Sequence, residues 1–158
     1  MEISIDLQQK DNCDYVRYTG PINEEAEVYL TQLLARLGSK VIINLGNVKY
    51  VNSCGVRGWI NFMRELDETR EVVLEECTSE IVMQINMIPS FKGKAKVKSV
   101  YAAYECDSCG HEMNVLFEEG KNLPTSPEDQ IAPTLCPQCQ SPMEMLELEE
   151  EFFSFLAE

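Results

Sequence analysis

The sequence predicts an α/β protein in which helices pack on a mixed sheet, followed by a small β-rich ribbon at the C-terminus. Three observations predict it. Along residues 1–104 the apolar spacing alternates between strand period and helix period. Two Cys-x-x-Cys pairs follow, Cys106/Cys109 and Cys136/Cys139. The charge changes at the same place: of the net −14, residues 1–104 carry −2 and residues 105–158 carry −12. The chain therefore divides into an α/β domain over 1–104, a ribbon over 105–148 and an acidic aromatic tail over 149–158.

Ile3, Ile5 and Leu7 alternate with polar residues as in a half-buried strand, and Tyr15 to Tyr18 can pair beside it. Asp11-Asn12 supplies the turn between them. After Gly20-Pro21, Asn23 is placed to cap a helix. Glu24, Glu25 and Glu27 favour its N-terminal dipole, Ala26, Leu30, Leu33, Leu34 and Leu37 form its apolar stripe, and Gly38 closes it. Val41 to Leu45 is a near-continuous apolar run, which predicts a central strand covered on both faces. Val56, Trp59, Ile60, Met63 and Leu66 trace a second helix, and Glu71 to Leu74 another strand. Thr78 or Ser79 starts a third helix carrying Ile81, Val82, Ile85 and Ile88, which Pro89 stops. Lys92, Lys94, Lys96 and Lys98 alternate with Gly93, Ala95 and Val97, predicting an edge strand with its ammonium groups on one face. That basic strip is either edge protection or a surface for an acidic partner, the acidic module included. Val100 to Tyr104 continues as strand into the first cysteine pair.

The chain is 44% hydrophobic, enough for a folded core. Its first residues lack a basic, then apolar leader, and no stretch approaches the roughly 20 apolar residues of a membrane span, so a cytoplasmic protein without membrane insertion is expected. The acidity of the C-terminal part repels phosphate backbones and argues against nucleic acid as a partner. It suits either solubility or a basic protein partner.

With seven cysteines and no leader, the paired spacing reads as a metal site before disulfides. Two residues between cysteines let one tight turn present both thiolates to one ion, and the glycine after Cys109 frees φ for that turn. Gln140 occupies the equivalent place in the second pair, which predicts a less favourable turn. Cys106, Cys109, Cys136 and Cys139 thus form a four-thiolate set for structural Zn2+, with no open position for catalysis. Iron of the rubredoxin type or a redox disulfide pair are the competing readings of the same spacing. His111 is either a neighbour of the site or a substitute ligand. The 26 residues between the pairs leave room for a strand over His111–Phe117 and a proline-rich loop over 122–133, and Met143 to Leu148 supplies a closing strand. Residues 104–148 resemble the zinc-ribbon family in this pattern.

Cys54 lies where strand and loop give way to a helix, a place that favours an anion: a phosphorylated Ser53, a phosphate ligand or a Cys54 thiolate. The plain alternative is that Ser53 caps the helix and Cys54 packs. Gly20-Pro-Ile22, the strand Val41-Ile-Ile-Asn-Leu45 and Val51-Asn-Ser-Cys-Gly55 before an amphipathic helix together resemble the STAS domain, the fold of anti-sigma-factor antagonists. The likeness spans residues 1–104. In that family the motif reads Asp-Ser-Ser/Thr-Gly with the phosphoacceptor before the glycine. Cys54 stands there in this chain, and Asn52 and Asn44 stand where the family carries acids. The resemblance implies a non-catalytic module that binds a protein, such as a switch-kinase anti-sigma factor, through Ser53, Cys54, Val56, Arg57 and Met63. The departures at Cys54, Asn52 and Asn44 argue against the family's usual serine phosphorylation as a switch here, although Ser53 matches the family's first serine.

The tail, Leu146 to Glu158, sets Phe152, Phe153 and Phe155 beside Glu149, Glu150 and Glu151. These phenylalanines either pack back on the domain, dock into a partner's groove or form a homo-oligomer contact. No paired carboxylates, nucleophile–base pair or phosphate-cradling glycine loop marks an enzyme. The leading expectation is a regulatory or adaptor module in bacterial signalling. The alternative is a redox- or metal-responsive sensor using Cys54 or the zinc thiolates.

Overall fold

Residues 2–157 are described in the computed structural model. The first strand, β1 (Ser4–Lys10), turns through Asp11 and Asn12, both at positive φ (53° and 60°), into β2 (Cys13–Thr19). Both turn residues in the left-handed region give a two-residue hairpin whose twist matches its strands, and Asn and Asp tolerate that conformation best after glycine. Three crossovers follow: α1 (Ala26–Leu34) to β3 (Lys40–Asn47), α2 (Ser53–Thr69) to β4 (Glu71–Glu75), and α3 (Ser79–Met87) to β5 (Lys96–Val97). The resulting sheet has the order β1-β2-β3-β4-β5, with β1 antiparallel and the others parallel.

A second, antiparallel sheet of order β7-β6-β9-β8 follows. It consists of β6 (Ser99–Cys106), β7 (Glu112–Glu118), β8 (Thr134–Leu135) and β9 (Pro142–Met145). The architecture is thus mixed α/β with a mixed sheet and a cysteine cluster near the C-terminus. The two sheets meet through β6: Cys77, just beyond β4, bridges Val100, its N–H donating to Ser99 C=O and its C=O accepting from Tyr101 N–H. One hydrophobic core runs through both, from Val16, Ile43, Trp59 and Leu74 to Tyr104, Phe117 and Phe153.

Several expectations are corrected. Val41, Ile43 and Leu45 are buried, but Ile42 between them is only half-buried, because the opposite face of β3 is not covered by a helix. That face carries the polar row Asp6–Arg17–Asn44–Glu75 across β1 to β4. The lysine run is not one strand. Gly93 turns the chain at φ +60°, Lys94 N–H donates to the Asp67 carboxylate at 2.8 Å, and only Lys96–Val97 pairs with β4. Asn23 lies ahead of α1, accepting from the Glu25 N–H at 3.0 Å, and Glu25 holds the cap position. Gly38 does not close α1; its N–H donates to the buried Asp14 carboxylate.

The tail forms α4 (Glu149–Phe152) and a 3-10 turn over Phe153–Ala157. Phe152 and Phe153 are each 1% exposed and Phe155 5%. Phe153 meets Phe117 edge-on at 5.3 Å, and Asn86 of α3 donates to the carbonyls of Glu151 and Phe152. The aromatics are therefore core residues and not free to enter a partner's groove. These rings extend the core of the second sheet through Phe117.

Candidate functional site

Cys106 ends β6, Cys109 follows in the turn to β7, and Cys136 and Cys139 form the turn between β8 and β9. The two turns are built alike. Gly110 N–H donates to Cys106 C=O, and Gln140 N–H to Cys136 C=O, each at 2.8 Å. Cys106 N–H donates to His111 C=O, and Cys136 N–H to Ser141 C=O, again at 2.8 Å. Gly110 and Gln140 occupy the matching left-handed positions, at φ +79° and +64°. Glutamine therefore adopts the turn that glycine adopts in the first pair, at a cost of about 1 kcal/mol.

The matched turns bring four sulfurs together. Cys106 Sγ lies 3.4 Å from Cys139 Sγ and Cys109 Sγ 3.6 Å from Cys136 Sγ, and all four lie within 4.8 Å of one another. Cys106 and Cys136 are buried, whereas Cys109 and Cys139 face outward. Every converging ligand atom is sulfur; His111 contributes its carbonyl to a turn. The proton affinities are uneven. The Ser141 hydroxyl and N–H, with the Cys106 thiol, bring Cys139 down to about 6. The His111 N–H pulls Cys109 down, but burial and hydrogen bonds shared with Cys136, Cys139 and Cys106 push it further up, to about 12. Binding a metal requires these thiols to give up their protons. Four close thiolates of this kind can hold a metal ion.

The second candidate is the start of α2. Asn52, not Ser53, is its cap: Asn52 Oδ1 accepts from the Gly55 N–H at 2.9 Å, while Asn52 Nδ2 donates to Glu24 Oε2 at 3.0 Å. That donation is the main reason the Glu24 carboxyl is held below its usual range. The turn is locked to the β2–α1 segment, since Ile22 N–H donates to Tyr50 C=O and Asn52 N–H to Ile22 C=O, at 3.0 and 3.1 Å. Ser53, Cys54 and Arg57 are exposed and Val56 is half-buried. Met63, expected on the presented face, is 0% exposed and belongs to the core, because its helical position faces the sheet.

Two carboxylate–asparagine pairings were not legible in the sequence. Glu24 sits on Asn52, and Glu76 sits on Asn44, whose Nδ2 donates to Glu76 Oε2 at 2.8 Å. Glu76 holds a positive φ of 51°, receives the Tyr101 hydroxyl at 3.1 Å and donates its N–H to Ser99 Oγ at 2.7 Å. Neither partner is near its asparagine in sequence, so only the fold brings each pair together. No protein-family model matches the chain, and no curated protein matches it.

Proposed function

We propose that this chain is a non-catalytic, protein-binding adaptor of bacterial signalling, a STAS-like domain joined to a ribbon stapled by zinc. The carrying observation is the exposed Ser53-Cys54 turn, held rigid by Asn52 at the head of the 17-residue helix α2. A rigid, solvent-facing helix start with Arg57 one turn on is suited to recognition by a protein. The only histidine, His111, is committed to the cysteine turns, so Cys54 has no imidazole base beside it. The run of three βα crossovers after a hairpin, and the pairing of the Gly20-Pro-Ile22 segment with the Val51-to-Gly55 turn, support the STAS-like reading.

Zinc fits the four-sulfur set. Bonds of about 2.3 Å in a tetrahedron hold sulfurs about 3.8 Å apart, close to the 3.4 and 3.6 Å contacts seen. Cys106, Cys109, Cys136 and Cys139 would hold the ion, which supplies cross-linking and no catalysis when all four positions are filled.

The test is comparative capture of proteins from the native host with wild type and with the R57E variant, both checked for metal content and folding. A partner retained by wild type and lost by R57E is expected; identical capture overturns the assignment of the turn. The sensor reading draws on the outward-facing Cys109, Cys139 and Cys54. It is separated by thiol labelling of the metal-loaded protein. Cys13 and Cys77 are buried, and burial pushes the Cys77 thiol up to about 12, so the labelled site is Cys54. Rapid labelling near neutral pH favours a sensor, and slow labelling favours the adaptor.

A further inference from the structure

The tail was a candidate ligand in the sequence; in the structure it forms one wall of a groove. Between α3 and α4 lies an open groove of about 860 Å3, lined by Asn86, Met87, Leu148, Glu149, Glu150 and Glu151. Met87 is 61% exposed and Leu148 69%, although Phe152 and Phe153 beside them are fully covered. Met83, one helical turn before Met87, is also 39% exposed and extends the apolar strip along α3.

The rim is acidic. Glu80 and Glu151 both act on Glu147, whose carboxyl is raised first by burial and then by these two like charges. Among the described residues no ion pair reaches Glu149, Glu150 or Glu151, and Lys121 is the only lysine or arginine of residues 105–158. Asn86 spends its amide on the Glu151 and Phe152 carbonyls, which leaves its buried Oδ1 without a donor among the described residues.

We propose that this groove binds a basic amphipathic helix of a partner protein, with methionine and leucine receiving the apolar face and the glutamates receiving lysine or arginine. Methionine suits such a surface because its unbranched, polarisable side chain adapts to varied apolar faces. An amphipathic helix presents anchors at the i, i+3, i+4 and i+7 spacing that a two-walled groove can accept. The basic sign of the partner follows from the charge of the rim. The inference extends the adaptor reading to a second surface and shares no residue with the α2 turn.

The test uses a fluorescent 14-residue leucine–lysine peptide designed as an amphipathic helix. Its control has the same composition, scrambled to remove the apolar face. Wild type is expected to bind the helix at least tenfold more tightly than the scramble. The M87S/L148S variant is expected to lose at least tenfold in affinity, with metal content and melting unchanged because both side chains are exposed. Glu149→Gln, Glu150→Gln and Glu151→Gln together are expected to reduce the salt dependence of binding. Equal binding of the scrambled peptide, or unchanged affinity in M87S/L148S, shows non-specific charge attraction and overturns the groove. Capture that depends on Arg57 while the peptide fails to bind would remove the groove and leave the adaptor reading standing.

Discussion

Gly55 packs against the carbonyl of Ile22 so closely that a methyl group in its place would overlap that oxygen and lie 2.6 Å from the Asn23 nitrogen. The contact joins the first turn of α2 to the segment that leads into α1, alongside the two backbone bonds that Ile22 shares with Tyr50 and Asn52. The obstacle is backbone, which cannot rotate away as a side chain can. Gly55→Ala is therefore expected to cost about 3 kcal/mol of stability, read as a lower urea midpoint with an unchanged slope. It should displace the Ser53-Cys54 turn and leave metal stoichiometry at wild-type level. Wild-type stability in the variant would show that the α2 start is not clamped.

Metal removal should act locally. The apparent free energy of structural zinc in peptides is about 10–16 kcal/mol, but the second sheet is not equally dependent on it. Strands β6 and β7 share seven register pairs and an aromatic cluster in which Tyr104 stacks on Phe117 at 6.3 Å. Strand β8 is tied to β9 by two register pairs. Purified protein is expected to contain one zinc per chain. A chelator should then release hydrogen-exchange protection in β8 and β9 while β6 and β7 keep theirs. A folded, fully protected ribbon without metal would overturn the staple.

The two cysteine turns allow an internal comparison. At Gly110 an added Cβ meets nothing within 4 Å, so Gly110→Ala suffers only from its φ of +79°. A non-glycine residue in that region costs about 1 kcal/mol. Gln140 already bears this cost at φ +64°. Gly110→Ala is expected to weaken zinc affinity about fivefold and Gln140→Gly to strengthen it about fivefold. Competition with a chromogenic chelator measures both, and changes of the same sign would show that the turns are not equivalent.

The cysteine pairs were legible because their ligand spacing is local: two residues fix the turn, whatever the remainder of the chain does. Helix α2 was legible for the same reason, since Trp59, Met63 and Leu66 share one face. What stayed hidden depends on pairing across the fold. An apolar run cannot tell that Ile42 lies half-exposed while Ile43 is buried, because it carries no record of how many helices cover each face. The alternation of Lys92 to Lys98 satisfies a strand pattern, yet Gly93 and the Asp67 carboxylate turn the chain after the short helix over Pro89–Phe91. The carboxylate partners of Asn44 and Asn52 arrive from 32 and 28 residues away. Met63 has the composition of a presented apolar residue and the position of a core one.

The tail offers the sharpest separation of roles, because adjacent apolar residues in it have opposite environments. Phe153 contacts Phe117 at 5.3 Å and Phe152 at 5.0 Å, and is 1% exposed, whereas Leu148 is 69% exposed. Truncating a buried phenylalanine removes its transfer energy and leaves a cavity, so Phe153→Ala is expected to cost about 3–5 kcal/mol. Phe152→Ala should cost a similar amount, because the same ring stack is broken. Leu148→Ser should change stability by less than about 0.5 kcal/mol while weakening the basic peptide in the groove. Urea unfolding and peptide titration on the same three variants test this. Stable phenylalanine variants would free the tail to act as a ligand, and a destabilised Leu148→Ser would mean that the groove is closed in solution by the protein itself.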